Sequence, residues 1–200
     1  MSKIHKLFPK VLAEFNDVCT DQIPNFIKEV EELNERCGTS ATSTLNVNSS
    51  HSTIQSIHRL PAFKPLAKVA LANAKQFANA YGHINILVDR LFISNMWFNI
   101  SGKDQYIFPH RHPGSLFSGA YYLESHPSHH INFYHNEKTI IEQPVYQNDL
   151  NNDVQELPCT PGTMYIFPSD FMHGVTRQMV DDRKIVISFN ITNIDGPELR

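Results

Sequence analysis

The chain has 200 residues, 41% of them hydrophobic and 18% charged, with a formal net charge of −3, which suits one soluble domain with a sizeable core. No basic block stands out, which argues against nucleic-acid binding through a broad electrostatic patch. No run approaches the roughly 18 apolar residues of a membrane span, the opening MSKIHKLFPKVLAEF lacks the apolar core of a signal peptide, and the scattered Cys19, Cys37 and Cys159 read as reduced thiols in a cytoplasmic setting.

Residues 4 to 15 alternate weakly and read as an edge strand. In TDQIPNFIKEVEELNERCG, Ile23, Phe26, Ile27, Val30 and Leu33 fall at helical spacing, with Thr20 or Asp21 to cap the start and Gly38 to end it. The segment Thr39 to Thr53 is rich in Ser, Thr and Asn and reads as a loop. A second helix is predicted in PAFKPLAKVALANAKQFANAYG, where Phe63, Leu66, Ala70, Ala74, Phe77 and Tyr81 make one apolar stripe that stops at Gly82. After Gly82 the period changes. INILVDRLFISNMWFNISG, SLFSGAYYLE, HINFYH, TMYIFP and KIVISFNIT are strand-like and separated by Pro, Gly, Asn and Asp. Residues 136 to 157 are polar, acidic and interrupted by Pro144, as in a long excursion between strands. Helices followed by many strands predict two helices packed on a β-sandwich or short barrel, all in one domain of residues 1–200, with 1–82 as helical support and 83–195 as the β core.

Seven of the eleven histidines lie between His110 and His173, and histidine is the commonest metal ligand. His110 and His112 stand one residue apart ahead of a strand. On a strand such residues point to the same side, so the pair can reach one ion or can simply be two polar residues on a wet face. A later segment, PGTMYIFPSDFMHGV, supplies His173. In a sandwich, distant strands become neighbours, and three ligands on one face would leave positions open for substrate, as in catalytic metal sites. In DDRKIVISFNIT, Lys184, Val186, Ser188 and Asn190 share one side and Arg183, Ile185, Ile187 and Phe189 the other. A cation and a hydroxyl on one side suit a small carboxylate; a surface charge at a strand start is the plainer alternative.

These segments together resemble the 2-oxoglutarate- and iron(II)-dependent oxygenases, and more narrowly a group frequent in phages and marine bacteria. The resemblance rests on WFN (Trp97 to Asn99), HRHP, SGAYYL, PGTMYIFPS, His173 and SFN, in that order between Met96 and Thr192. It implies a double-stranded β-helix, a jelly-roll form, with iron(II) and 2-oxoglutarate as cofactors and dioxygen as co-substrate. Carried over, His110 is the first metal ligand and His173 the distal one. Lys184, by parity with Ser188, or else Arg183, holds the far carboxylate of 2-oxoglutarate, with Tyr122, Ser188 and Asn190 beside it. One departure is plain: the family expects an acid where His112 stands. His112 can be a true third ligand, can sit beside the ion while water completes it, or can be replaced by Glu124 swinging in; strand parity favours the first.

The expected function is therefore a hydroxylase-type oxygenase of unknown substrate, with a homodimer left open as its assembly. Two rivals stand beside it. One is a cupin-type three-His metalloenzyme, whose second motif is nearly matched from Gly162 to His173, although Asp170 stands where Gly belongs and Leu116 and Phe117 where the first motif wants Glu. The other is a non-catalytic β-sandwich binding protein. His126, His129, His130 and His135 read mostly as surface or pocket-rim residues and Trp97 as core. Phe108, Phe117, Tyr121, Phe133, Phe167 and Phe171 could wall a cavity or fill the core.

Overall fold

Period-two alternation gives each strand two faces, and the two helices each carry one apolar stripe. A computed structural model, which describes residues 10–41, 45–82, 88–135, 148 and 151–193, shows how these faces are covered. In chain order the elements are β1 (Ala13–Phe15), α1 (Ile23–Cys37), β2 (Leu45–Asn46), β3 (Asn48–Ser49), α2 (Lys64–Tyr81), β4 (Leu91–Ser101), β5 (Tyr106–His110), β6 (Phe117–Glu124), β7 (His130–Tyr134), β8 (Val154–Pro158), β9 (Met164–Pro168), β10 (His173–Val175) and β11 (Lys184–Asn193).

The strands form two antiparallel sheets. The larger has the order β1-β9-β6-β11-β4-β3 and the smaller β2-β5-β10-β7-β8. Strands far apart in the chain are neighbours in both, as a jelly roll requires. The fold is the expected double-stranded β-helix, with two helices against one of its sheets.

Each face of the larger sheet has its own partner. Tyr121, Leu123, Ile185, Ile187 and Phe189 point outward, where Phe26, Val30 and Leu33 of α1 and Leu66, Ala70, Ala74 and Phe77 of α2 cover them. Phe26 stacks on Phe63 with ring centroids 5.7 Å apart and meets Tyr121 edge-on at 6.4 Å. Burial of each such ring contributes about 1.5–3 kcal/mol. The Tyr121 hydroxyl donates to the Val18 carbonyl at 2.6 Å, so the aromatic core keeps no unpaired phenol there. The inward face meets the smaller sheet through Tyr122, Ile131, Phe133, Tyr165, Phe167 and Val186. Arg183 ties the helical layer to the sheet, reaching Glu31 of α1 and Glu124 of β6, each at 2.7 Å.

Several expectations change. The first helix is entered through a 3₁₀ turn, Thr20–Gln22, and neither Thr20 nor Asp21 caps it. The chain instead turns at Cys19, whose φ is 46°. The Ser/Thr/Asn-rich segment is not only loop: it holds β2, β3 and a 3₁₀ turn, Ser50–Ser52. The first 82 residues thus supply strands to both sheets as well as helices. Tyr81 leaves the apolar stripe and is 47% exposed. The edge strand is confined to Ala13–Phe15, residues 1–9 lying outside the described set, as do residues 136–147 of the polar excursion, whose end forms β8. Among the described residues no helix is long and apolar enough to cross a membrane.

Gly119 of β6 marks the tightest packing between strand and core. A Cβ there would collide with the far edge of the Phe189 ring on β11, and a buried ring flanked by helices has nowhere to go. Gly119→Ala should therefore destabilise the protein by about 1–3 kcal/mol in a denaturant titration. Wild-type stability would contradict this packing.

Candidate metal centre

Three segments deliver three imidazoles to one place. His110 ends β5 and His173 begins β10, and the antiparallel register sets these two residues directly opposite each other. Their ring centroids are 4.4 Å apart. His112 lies just past the end of β5, so the parity of a continuous strand does not place it. Its backbone N–H instead donates to the Ser169 carbonyl at 2.9 Å, which folds the chain back over the sheet. The His112 and His173 Nε2 atoms are 3.3 Å apart. One ligand atom from each of the three rings fits within 4.8 Å of the others. The close approach of β10 to β5 needs a residue without a side chain: a Cβ on Gly174 would come within 2.7 Å of the Ile107 carbonyl oxygen.

The hydrogen bonds fix what these rings offer. His110 Nδ1 lies 2.9 Å from the Phe108 carbonyl and His173 Nδ1 2.8 Å from the Phe171 carbonyl. A carbonyl only accepts, so Nδ1 carries the proton in both rings and the Nε2 lone pairs are left free. Burial lowers the basicity of all three, His112 to about 4 and His173 to about 3. Near pH 7 the cluster is therefore neutral, the state in which imidazole binds a metal. An ion suits this donor set, because ordered Nδ1–H donors behind neutral Nε2 ligands are the usual support of metal-binding histidines.

The three histidines line a cavity of about 250 Å³ between the sheets. Its walls include Trp97, Asn99 and Ser101 of β4, Ser118 and Tyr122 of β6, Ile131 of β7 and Lys184, Val186 and Ser188 of β11. The register of β11 explains the last group. Lys184, Val186 and Ser188 face Ser101, Asn99 and Trp97 across the β4–β11 ladder, so all lie on the inner face of the larger sheet.

Lys184 is 2% exposed, and its Nζ is buried without a hydrogen-bond partner. Burial lowers its pKa. An ammonium desolvated without a counter-charge costs several kcal/mol, on the order of the penalty for any unpaired buried ion. A carboxylate arriving in the cavity would remove that cost. Tyr122 is fully buried beside it, with a hydroxyl that hydrogen-bonds Cys159 and a pKa pushed well up by burial. It stays a protonated donor. Ser188 accepts from the Asn99 amide at 3.1 Å, leaving Asn99 Oδ1 as a buried acceptor without a partner on the cavity wall.

Other candidates fall elsewhere. Arg183 points out of the sheet, and its ion pairs with Glu31 and Glu124 occupy it. Those same bonds hold Glu124 on the outer surface, away from the three histidines. Asn190 is buried but accepts from the Ser118 hydroxyl at 2.8 Å instead of lining the cavity. Of the six aromatic residues that could wall a cavity or fill the core, Phe167 lines the cavity. Phe117 and Tyr121 belong to the helix-side core, Phe133 and Phe171 pack between the sheets, and Phe108 is 48% exposed. Trp97 is buried as expected but forms cavity wall, its indole between His51 at 4.8 Å and His112 at 5.8 Å. His51 is a wall residue that sequence reasoning misses, since nothing in a Ser/Thr/Asn-rich stretch marks it. His129, one of the four histidines read mostly as surface or pocket rim, is 3% exposed and does not line the cavity.

Comparison with known proteins agrees with this geometry. Residues 95–190 match the family described as "Putative 2OG-Fe(II) oxygenase". No curated protein matches the sequence. Among solved structures, HygX from Streptomyces hygroscopicus with nickel and 2-oxoglutarate bound is similar at a TM-score of 0.61 and 12% identity, over 96% of this chain and 86% of that one. A non-heme alpha ketoglutarate dependent epimerase, SnoN from nogalamycin biosynthesis, aligns at 0.68 and 8%, over 92% of this chain and 77% of its own. A Pseudomonas putida prolyl-4-hydroxylase aligns at 0.60 and 12%, over 92% and 94%. The fold is common to all three, and residues 95–190, just under half of the chain, are similar to the 2OG-Fe(II) oxygenase family.

Proposed function

We propose that the protein is a hydroxylase in which His110, His112 and His173 hold iron(II) and Lys184 receives the far carboxylate of 2-oxoglutarate. The observation that carries this reading is the pairing of two unfilled sites on one cavity: three convergent imidazole ligand atoms and a buried, partnerless ammonium. Iron(II) with 2-oxoglutarate supplies the oxidising power for oxygen insertion from dioxygen, with succinate and carbon dioxide as co-products. Everything else falls to the chain. Lys184 and the Tyr122 hydroxyl orient the co-substrate. Val186, Ile131 and Phe167 keep water from its carbon chain. Three neutral ligands leave both charges of the ion uncompensated by protein, so the dianionic co-substrate does more of the neutralising than it would beside a carboxylate ligand.

The half-buried His51 and the buried Trp97 form the wall nearest His112, and we place the primary substrate against them. Structures of this fold include one with hygromycin B bound and a prolyl hydroxylase in complex with a peptide, so fold alone selects no substrate class here. The unpaired Cys19, Cys37 and Cys159 support a reducing, cytoplasmic location. Kinship with the phage-type group rests on motif order, and the assignment of the whole chain to one domain rests on the helices packed against the larger sheet.

Two outcomes test this reading. Anaerobic addition of iron(II) and 2-oxoglutarate should produce a weak visible charge-transfer band, and oxygen uptake should depend on 2-oxoglutarate. Failure of both, across a range of candidate substrates, would contradict it. Titrating the band should also separate the two cations. Lys184→Met should weaken 2-oxoglutarate binding by about 10- to 100-fold while raising the melting temperature of the unloaded protein, because a buried unpaired charge is removed. Arg183→Gln should leave the affinity within about twofold and cost at most about 1 kcal/mol of stability, as for exposed ion pairs. The reverse pattern would move the carboxylate site to Arg183.

A further inference from the structure

The Ser/Thr/Asn-rich stretch builds a shelf at the edge of β4. Ser49 pairs with Asn99 in the β3–β4 ladder, and its hydroxyl accepts from the His51 N–H at 3.3 Å. Ser50 is wholly buried. Its hydroxyl accepts from the Phe98 N–H of β4 at 3.1 Å and donates to the Ile54 carbonyl at 2.9 Å, while its carbonyl takes the N–H groups of Thr53 and Ile54. Short polar side chains that bond the nearby main chain in this way hold a turn in one conformation. From that turn the His51 ring stands edge-on to Trp97 and lines the same cavity as the three metal-site histidines.

The ring of His51 is used differently from the other imidazoles. His110, His126, His129, His130 and His173 each engage Nδ1 with the chain. Among the described residues neither ring nitrogen of His51 has a hydrogen-bond partner, and His51 does not belong to the group whose ligand atoms converge. A second open group stands on the cavity wall. Asn99, two residues along β4 from Trp97 and 5% exposed, spends its Nδ2 on Ser188 and keeps Oδ1 buried without a donor. A buried acceptor of this kind calls for an N–H or O–H from outside the chain.

The lining also restricts charge. Among the described residues it includes no Asp, Glu or Arg, and its one Lys is Lys184, which the function proposed above gives to 2-oxoglutarate. A cationic substrate group would be buried here without a counter-charge, and an anionic one would face Asn99 Oδ1. At about 250 Å³ the cavity is also smaller than the roughly 300–1,000 Å³ of sites that enclose a drug-sized ligand, so only a small end of the substrate enters beside the co-substrate.

From this we infer that His51 is a specificity-determining residue that binds an uncharged carboxamide of the primary substrate. A carboxamide carries both a carbonyl for an imidazole N–H and the N–H that Asn99 Oδ1 lacks. The inference rests on the function proposed above and deepens it by naming the substrate class.

The test uses the full chain loaded with Mn(II) and saturating 2-oxoglutarate, and three probes of one shape: pentanamide, pentanoate and pentanamidinium. Binding is read as paramagnetic broadening of each probe's proton signals by the ion. Pentanamide should be broadened and the two charged probes should not. His51→Phe should weaken pentanamide binding about three- to tenfold, the worth of one neutral hydrogen bond, with 2-oxoglutarate affinity unchanged by calorimetry. His51→Gln, which keeps a side-chain N–H, should recover most of the loss, and His51→Leu replaces the Phe variant if that one does not fold. N-acetylglutamine methylamide, run beside pentanamide, separates the carboxamide of a peptide side chain from that of a free small molecule by which of the two is broadened more. Equal broadening of the three probes, no broadening of pentanamide, or an apolar variant equal to wild type would overturn the role of His51. A wild-type chain that binds Mn(II) but not 2-oxoglutarate would overturn the underlying function itself.

Discussion

The site depends on the antiparallel register that sets His173 opposite His110. A slip of one residue would turn either ring to the outside of the smaller sheet. Gly174 permits the close approach that this register needs, and the Phe108 and Phe171 carbonyls then lock the two rings in one tautomer. His112 is added by a single backbone hydrogen bond to Ser169. The cluster is thus built mainly by main-chain geometry, which explains how three short segments can hold donors ready for a cation without a carboxylate among them.

Lys184, on the same cavity, obeys a complementary constraint. Burying Lys184 without an acid destabilises the empty protein. Such costs persist only where something offsets them. The helix-side core provides stability well away from the cavity: its large aromatic and aliphatic side chains on α1, α2 and the outer face of the larger sheet are almost wholly buried. Division of labour between the two faces of one sheet, apolar outside and mixed polar and apolar inside, lets the inner face carry unsatisfied groups while the fold holds.

Much of this architecture is legible in the amino-acid sequence. The two helices are readable because their apolar stripes are long and periodic, and the Lys184–Ser188 side of β11 because a ten-residue strand has unambiguous parity. The order of His110, His112 and His173 is likewise plain. The features that escape sequence reasoning are short or polar. Strands β2, β3 and β10 have two or three residues each, too few for a period, and their existence depends on neighbours supplied by the fold. His51 sits in a stretch whose composition reads as loop. His129 sits among Ser and His residues that look solvent-facing, and only the β7–β8 pairing reveals that the segment is roofed over. Parity along β5 groups His110 with His112 correctly but for an incomplete reason, since β5 ends at His110.

The most direct test of the central claim is a crystal structure of the iron(II)-loaded protein with diffraction measured across the iron absorption edge. The account predicts one anomalous peak within bonding distance of the Nε2 atoms of His110, His112 and His173 together. A peak held by only two of these rings, with His112 turned away and another ligand in its place, or no peak between the sheets at all, would contradict it.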